Sequence, residues 1–215
     1  MNRTYINALH TEIEKEVCIS GWIDVRRDQG KLIFLDIRDM SGKVQCVVLP
    51  NREEALETAK ELRSEWVVEV TGVVHARPER NVKVGEQNGD IEIEITAITI
   101  LNRAETPAFD VTSDGKEIGE ENRLAQRYLD IRRSRLQKNL RMRHAVSKLV
   151  RDTLSNQGFI EVETPYLTKS TPEGARDYVV PSRLHEGMFY ALPQSPQQYK
   201  QLLMTGGVER YFQFA

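Results

Sequence analysis

The sequence predicts a small all-β barrel over residues 1–103 and, after a linker, an α+β domain with an antiparallel sheet over residues 123–215. Three observations carry that expectation. Apolar residues alternate with period two through most of the first hundred positions, as in half-buried strands. After residue 134 they recur at helical spacing, and between the two regimes the charge reverses abruptly. A chain of 215 residues with 40% hydrophobic content is long enough to bury two cores.

Taken in order, residues 17–27 form the first strand, with Gly21 as a bulge or a point of close backbone approach. Asp28-Gln29-Gly30 turns the chain, and KLIFLDIR returns over 31–38. Ser41-Gly42 turns it again before 43–49. Pro50 ends the run, and Asn51 is placed to cap a short helix, REEALETAKELR. Residues 66–76 and 91–101 supply two more strands, the second alternating as I-E-I-E-I-T. Three strands, a helix and two strands is the order of an OB-fold, a five-stranded barrel whose outer face binds oligonucleotides. Cys18 and Cys46 lie in strand-like runs without C-x-x-C spacing. They are expected as buried free thiols of a reducing compartment, with a disulfide as the lesser alternative.

Residues 104–122 read as a linker: between 105 and 122 six acids face one lysine, among a proline and two glycines. From 123 to 151 ten Lys and Arg face Asp130 alone. Leu136, Leu140, Val146, Leu149, Val150 and Leu154 recur at roughly helical spacing, predicting an amphipathic helix over 134–157 that Gly158 stops. Its basic face is open to two readings, a solvated surface or a contact with the RNA backbone. The net charge of −2 excludes a polycation as a whole. The N-terminus has no apolar core of signal-peptide type, and no run reaches the ~18 apolar residues of a membrane span. A cytoplasmic location is expected.

An RNA-reading barrel needs rings on which bases stack and amides or ions that read base edges. Arg26 and Arg27 end one strand, Phe34 lies on the next and Gln45 on the third. A lone strand phenylalanine is more often core than platform, yet Ile33 and Leu35 already serve the core, pointing the opposite way. The run GWIDVRRDQGKLIFLDIRDMSGKVQCV resembles the anticodon-binding domain of bacterial aspartyl-tRNA synthetases. The resemblance implies that a base of the anticodon stacks on Phe34, and that Arg27, Gln45 and Glu92 contribute to base recognition. Arg27 has a structural alternative, an ion pair with Asp28 or Asp36. Members of the family specific for tRNA(Asp) often carry leucine at the position of Gln29, and many that also accept tRNA(Asn) carry histidine. Gln29 matches neither, so the choice between the two tRNAs stays open.

The second region carries the run TPYLTKSTPEGARDYVVPSRLHEGMFYALPQSPQQYKQLLM over residues 164–204. Residues 171–178 lack apolar periodicity, and Gly174 allows the mobility a substrate-gating loop needs. Residues 178–183 and 188–192 flank His185-Glu186-Gly187 and are expected to pair as an antiparallel hairpin. Ser195 is expected as a helix N-cap, Pro196 as the first helical residue and Gln198 as the return arm of a capping box. Tyr199, Leu202 and Leu203 form a packing stripe. Lys200 falls near the positive end of that helix, where a cation is unfavourable by roughly 0.3–1 kcal/mol unless an anion sits nearby. No Gly-rich strand-to-helix loop supports a Rossmann or P-loop nucleotide site.

This run resembles the amino-acid pocket of the same family, bacterial aspartyl-tRNA synthetase of class II, and GFIEVETPYL resembles its motif 1. The resemblance implies a set of roles. Glu173 receives the α-ammonium of L-aspartate, Lys200 binds its side-chain carboxylate, and Ser195, Gln197, Gln198 and Tyr199 line the pocket. By the same resemblance, Pro165 sits at the interface of a homodimer. Lysine opposite a carboxylate leaves uncharged asparagine poorly satisfied and repels lysine, which favours aspartate over the substrates of the sister enzymes. The fold implied is an OB-fold barrel followed by the first part of a class II catalytic domain.

The activity implied is ATP-dependent formation of aspartyl-adenylate and transfer to tRNA(Asp), with tRNA(Asn) open. The resemblance ends with VERYFQFA, residues 208–215, as the opening strand of motif 2. The arginines that grip ATP and the acids that bind Mg2+ are expected beyond residue 215. No catalytic set is complete here, and the polypeptide by itself is expected to be inactive. The final strand is expected to leave Tyr211, Phe212 and Phe214 without sheet partners. The competing reading is a non-catalytic RNA-binding protein that uses only its barrel.

Overall fold

The computed structural model describes residues 2–170 and 176–214. By contacts the chain divides into two compact units, Met1–Leu136 and Gln137–Ala215.

In the first unit, β1 (Glu16–Asp28), β2 (Ile33–Arg38), β3 (Lys43–Val48), β4 (Val67–Ala76) and β5 (Ile91–Asn102) close in the order β1-β2-β3-β5-β4. All neighbours are antiparallel except β3 and β5, which pair in parallel at Cys46–Ile93 and Val47–Glu94. Closure follows from β1, which is long enough to pair with β4 through its first half and with β2 through its second. A register shift between Ile23 and Val25 bends it from one partner to the other. Gly21 is a point of close approach: a Cβ there would collide with the Arg38 carbonyl oxygen.

The period-two pattern sends Ile19, Ile23, Ile33, Leu35, Ile37, Val44, Val48, Val68, Val70, Ile91, Ile93 and Ile95 into one core. Cys18 and Cys46 are buried as free thiols, and burial pushes the Cys46 thiol up. Helix α1 (Glu53–Glu61) packs Ala55 and Ala59 on the core. Its cap is Arg52 rather than Asn51, with no side-chain cap bond. The partial negative charge at its other end is met by Arg26, whose Nη1 donates to the Lys60 carbonyl at 2.6 Å. A 3₁₀ turn, Ile6–Glu12, adds Ile6 and Leu9 to the same core, both fully buried. Each contributes roughly 1.5–3 kcal/mol.

The linker is less open than its composition suggests. It leads into α2 (Glu120–Ala125) and α3 (Arg127–Asp130), and several nearby arginines turn to protein partners. Arg133 is fully buried, donating from Nε to Asp130 at 2.9 Å and from Nη1 to the Ser113 carbonyl at 2.9 Å. Gly115, at φ 75°, leaves room for it, since a Cβ would lie 2.6 Å from the Arg133 Nε. Arg127 also donates to Asp130, and Arg135 to the Asp114 carbonyl. Glu65, 2% exposed and at φ 69°, accepts hydrogen bonds from Arg38 of β2 and from Arg132. Both guanidiniums lie over the Trp22 ring, 5.7 and 5.4 Å from its centroid. Arg133 is thereby taken out of solvent, whereas Arg127 and Arg132 hold their carboxylates with side chains still 48% and 32% exposed.

Three linker acids carry a pH dependence. Burial by itself raises Asp110, but hydrogen bonds from the Thr112 N–H and hydroxyl and the Ser113 N–H outweigh it, and the net shift is down. Lys116 lowers Asp114, and the Ser113 hydroxyl lowers Glu117. A carboxylate depressed in the folded state stabilises it above its unfolded pKa of about 3.9–4.3, and that stabilisation is lost as pH falls through the folded value. The amides of Thr112, Ser113 and Lys116, which donate to Asp110 and Asp114, are expected to keep their exchange protection from about pH 7 to pH 5. Protection should fall below roughly pH 4. Protection factors unchanged at lower pH would refute this.

In the second unit, α4 (Ser134–Asn156), which starts just before it, ends as Gly158 takes φ 80° and the Phe159 N–H returns to the Leu154 carbonyl at 3.0 Å. Its expected apolar stripe is uncovered among the described residues: Leu140, Val146 and Leu149 are 51%, 51% and 65% exposed. Strand β6 (Ile160–Glu161) comes next. The hairpin forms from β7 (Tyr178–Pro181) and β8 (Phe189–Leu192), antiparallel as the sequence implies. Thr168 bridges to Ala191, extending the hairpin. After α5 (Gln197–Thr205), β9 (Tyr211–Phe212) pairs in parallel with β6. That corrects the expectation for Tyr211 and Phe212, which do have sheet partners. Phe214 instead packs edge-on against Phe212 at 6.0 Å and lies under Arg151 at 4.6 Å. The sequence does not show this pairing, because two short strands far apart in the chain share no local pattern.

Candidate nucleic-acid interface and amino-acid pocket

The outer face of the barrel gathers Arg27, Phe34, Gln45 and Glu92 around one open cavity of about 460 Å³. Strand register explains how. Arg27 of β1 lies opposite Phe34 of β2, and Asp36 of β2 lies opposite Gln45 of β3. Ile33 and Leu35 are fully buried beneath, so alternation turns the half-buried Phe34 outward, where it lines the cavity. Val47 and Leu49 supply the apolar floor.

A polar chain crosses this face. The Arg27 Nη1 and Nη2 donate to the two Asp36 oxygens at 2.9 and 2.8 Å, and Nη2 donates also to the Gln45 Oε1 at 3.1 Å. The Gln45 Nε2 donates to Glu92 at 3.1 Å, and the Arg77 Nε lies 3.6 Å from Glu92. The hydrogen bond to Asp36 holds Arg27 above the usual arginine range, against the opposing effect of burial. Of the two carboxylates open to Arg27 in the sequence, the structure selects Asp36, while Asp28 accepts from the Gly30 N–H in the turn. Gln29 is exposed at the lip of the cavity.

Sequence reasoning missed Arg77, Asn81 and Lys83, which complete the lining. The Arg77 side chain is 3% exposed, and its buried Nε has no hydrogen-bond partner among the described residues. The signal was the basic stretch RPERNVK directly after β4. A cavity with an aromatic face, three cations and one carboxylate among its walls suits an anionic ligand with flat rings bearing donors and acceptors.

Of the residues expected to line an amino-acid pocket, Ser195, Gln197, Gln198, Tyr199 and Lys200 are described, all within the second unit. Gln197 opens α5, and Tyr199 and Lys200 are half-buried on it. The capping box does not form. The cap is Pro196, whose carbonyl accepts the first helical hydrogen bond from the Lys200 N–H at 3.1 Å. Ser195 therefore lies one residue before the cap, where its hydroxyl accepts from the Gln197 N–H at 3.3 Å. Gln198 makes no bond back to it, so its amide is left exposed. Lys200 forms no ion pair among the described residues, one turn into a helix whose N-terminus favours an anion. Glu173 lies outside the described residues. Pro165 is exposed beside Tyr166 and Leu167, themselves 68% and 49% exposed. Among the described residues no three His, Cys, Asp or Glu side chains gather as a metal site, and no helix is long and apolar enough to cross a membrane.

Comparison with known proteins bears on both units. The family of OB-fold nucleic acid binding domains matches residues 17–101, and the family of class II tRNA synthetases (D, K and N) matches residues 119–215. The chain is 57% identical over 205 residues to an aspartate–tRNA(Asp/Asn) ligase of Halothermothrix orenii, covering 95% of this chain and 35% of that protein. It is 51% identical over 216 residues to an aspartate–tRNA ligase of Bacillus licheniformis, covering 99% and 36%. Among solved structures, an asparaginyl-tRNA synthetase from Pyrococcus horikoshii, complexed with asparaginyl-adenylate, superposes with a TM-score of 0.84 at 26% identity. The match spans 100% of this chain and 48% of that one. The chain thus spans about a third of the length of the curated relatives it matches. By sequence, and by an OB-fold barrel followed by part of a class II catalytic domain, the chain belongs to the class II tRNA synthetases of the D, K and N group, on their aspartyl branch.

Proposed function

We propose that this chain supplies the anticodon reader and part of the amino-acid pocket of an aspartate–tRNA ligase. That enzyme joins L-aspartate to ATP as aspartyl-adenylate and passes the aspartyl group to the 3′ end of tRNA(Asp). The observation that carries the proposal is the convergence of Arg27, Phe34, Gln45 and Glu92, drawn from β1, β2, β3 and β5, on one cavity. Lys200, without an ion pair among the described residues, supports a pocket for a substrate carboxylate, and Glu173 is proposed to receive the α-ammonium. Ser195, Gln197, Gln198 and Tyr199 would orient the ligand between them. The exposed Pro165, Tyr166 and Leu167 suit the interface of a homodimer. A cytoplasmic enzyme is consistent with the two free cysteines.

ATP enters as substrate. Mg2+ would neutralise phosphate charge during adenylate formation, but the described residues of this chain do not fit a metal site, and no step is assigned to it. The barrel-only RNA binder is the weaker reading, because residues 119–215 match a synthetase family in their own right. Aminoacylation of tRNA(Asn) as well is supported by the name of the Halothermothrix relative, while the Bacillus relative is named for aspartate alone.

The test is binding. The purified chain is expected to prefer a synthetic RNA hairpin carrying the aspartate anticodon over hairpins with any one anticodon base replaced. Where base edges are read by paired hydrogen bonds, each replacement should cost roughly 5- to 150-fold in affinity. Equal affinity for all hairpins at one salt concentration would overturn the proposal. A parallel titration with the asparagine anticodon measures how far Gln29 permits the second tRNA.

A further inference from the structure

The base-reading face depends on a carboxylate that does not line it. Asp36 is 8% exposed at its side chain and takes one N–H from each terminal nitrogen of Arg27, a two-point fork at 2.9 and 2.8 Å. The fork fixes the guanidinium plane. The second hydrogen of Nη2 is then directed at the Gln45 Oε1, which settles the orientation of the amide. With its oxygen facing Arg27, Gln45 has its nitrogen facing Glu92, to which it donates at 3.1 Å. What remains for a ligand is a defined pattern: the Arg27 Nε–H and one Nη1–H, the second Gln45 N–H, and the free oxygen of Glu92.

Without the Asp36 charge this order has an obvious competitor. Only the Gln45 amide separates Arg27 from Glu92 in the polar chain. A guanidinium released from Asp36 can swap its amide contact for a direct pair with that carboxylate. The swap would consume the acceptor offered to the base and free the Gln45 amide to flip. The ion pair that the sequence presents as a structural alternative to RNA reading is in this view a condition for it.

We propose that Asp36 is a positioning residue for base recognition, acting through Arg27 on the orientation of Gln45 and Glu92. The proposal rests on the anticodon reading above. Its test is a double-mutant cycle in the purified chain, titrated with the aspartate-anticodon hairpin and with a hairpin changed at the middle anticodon base. D36N and R27M are each expected to weaken the aspartate hairpin roughly 10- to 100-fold, and the double variant no more than R27M alone. D36N should also shrink the preference between the two hairpins. Losses that multiply, with the preference intact, would show a merely structural role and overturn the inference.

Unchanged binding by D36N, with R27M impaired, overturns this inference and leaves the anticodon reading standing. No binding by the unaltered chain overturns both. Should D36N fail to give a cooperative melt, R27K decides, because lysine keeps the charge and lacks the fork. It is expected to bind as weakly as R27M, and full affinity would overturn the assignment.

Discussion

Replacing Glu65 by alanine is expected to lower the stability of the barrel unit by about 3–5 kcal/mol, the cost of removing one partner from a buried ion pair. Two guanidiniums share this carboxylate, and they will not suffer equally. The Arg132 side chain is 32% exposed and can turn to water. Arg38 is 15% exposed, and its Nη1 is already buried without a hydrogen-bond partner among the described residues, so most of the cost falls there. Asp24, 3.5 Å from the Arg38 Nε, offsets a part of it. Glu65 also sits at φ 69°, a left-handed conformation that strains alanine as it does glutamate and that glycine adopts freely. E65G is therefore expected to be less damaging than E65A by roughly 1 kcal/mol. Urea unfolding followed by tryptophan fluorescence is well suited, because both tryptophans, Trp22 and Trp66, lie in this unit. A loss below ~1 kcal/mol would place the clamp among ordinary surface pairs.

The second large effect concerns RNA. F34A is expected to weaken the aspartate-anticodon hairpin by roughly 5- to 150-fold, the loss of one stacked base at about 1–3 kcal/mol. F34L should lose nearly as much, since leucine restores bulk but offers no π-face. Stacking is tolerant of base identity, so the loss should be similar for hairpins of different anticodon. Changes at Gln45 or Glu92 should instead alter which hairpin is preferred. The melting temperature should move little, because Phe34 lies outside the residues that fill the core. Titrations must share one ionic strength, as phosphate contacts make affinity fall steeply with salt. Wild-type affinity in F34A would remove the ring from the interface.

Much of the barrel is legible in the residues because a strand at an interface between oil and water writes its geometry as alternation. Ile33, Leu35 and Ile37 point in, and Phe34 and Asp36 point to the other side. The candidate residues of the barrel face owe their outward placement to the same alternation, while the family resemblance is what singles out Arg27, Phe34, Gln45 and Glu92 from many similar residues. The 3₁₀ turn carrying Ile6 and Leu9 was missed, since two apolar residues three apart are too short a pattern to distinguish from a loop. The Asn51 cap and the Ser195–Gln198 box failed by one residue, where backbone geometry at Arg52 and Pro196 set the helix start. Arg77, Asn81 and Lys83 were invisible as a group because only closure of the barrel brings the segment after β4 beside β3 and β5.

Local patterning alone determined the succession of barrel strands, the long helix and its glycine stop, and the outward placement of Phe34. Those features depend on neighbours in the chain, where periodicity and backbone preference act. Tertiary structure decided which acid Arg27 holds, which arginines around the linker are consumed by Asp130, Glu65 and Ser113, and that β6 finds β9. A charged side chain chooses its partner by distance and burial after the chain has closed, and many acids of equal standing in the sequence compete until then.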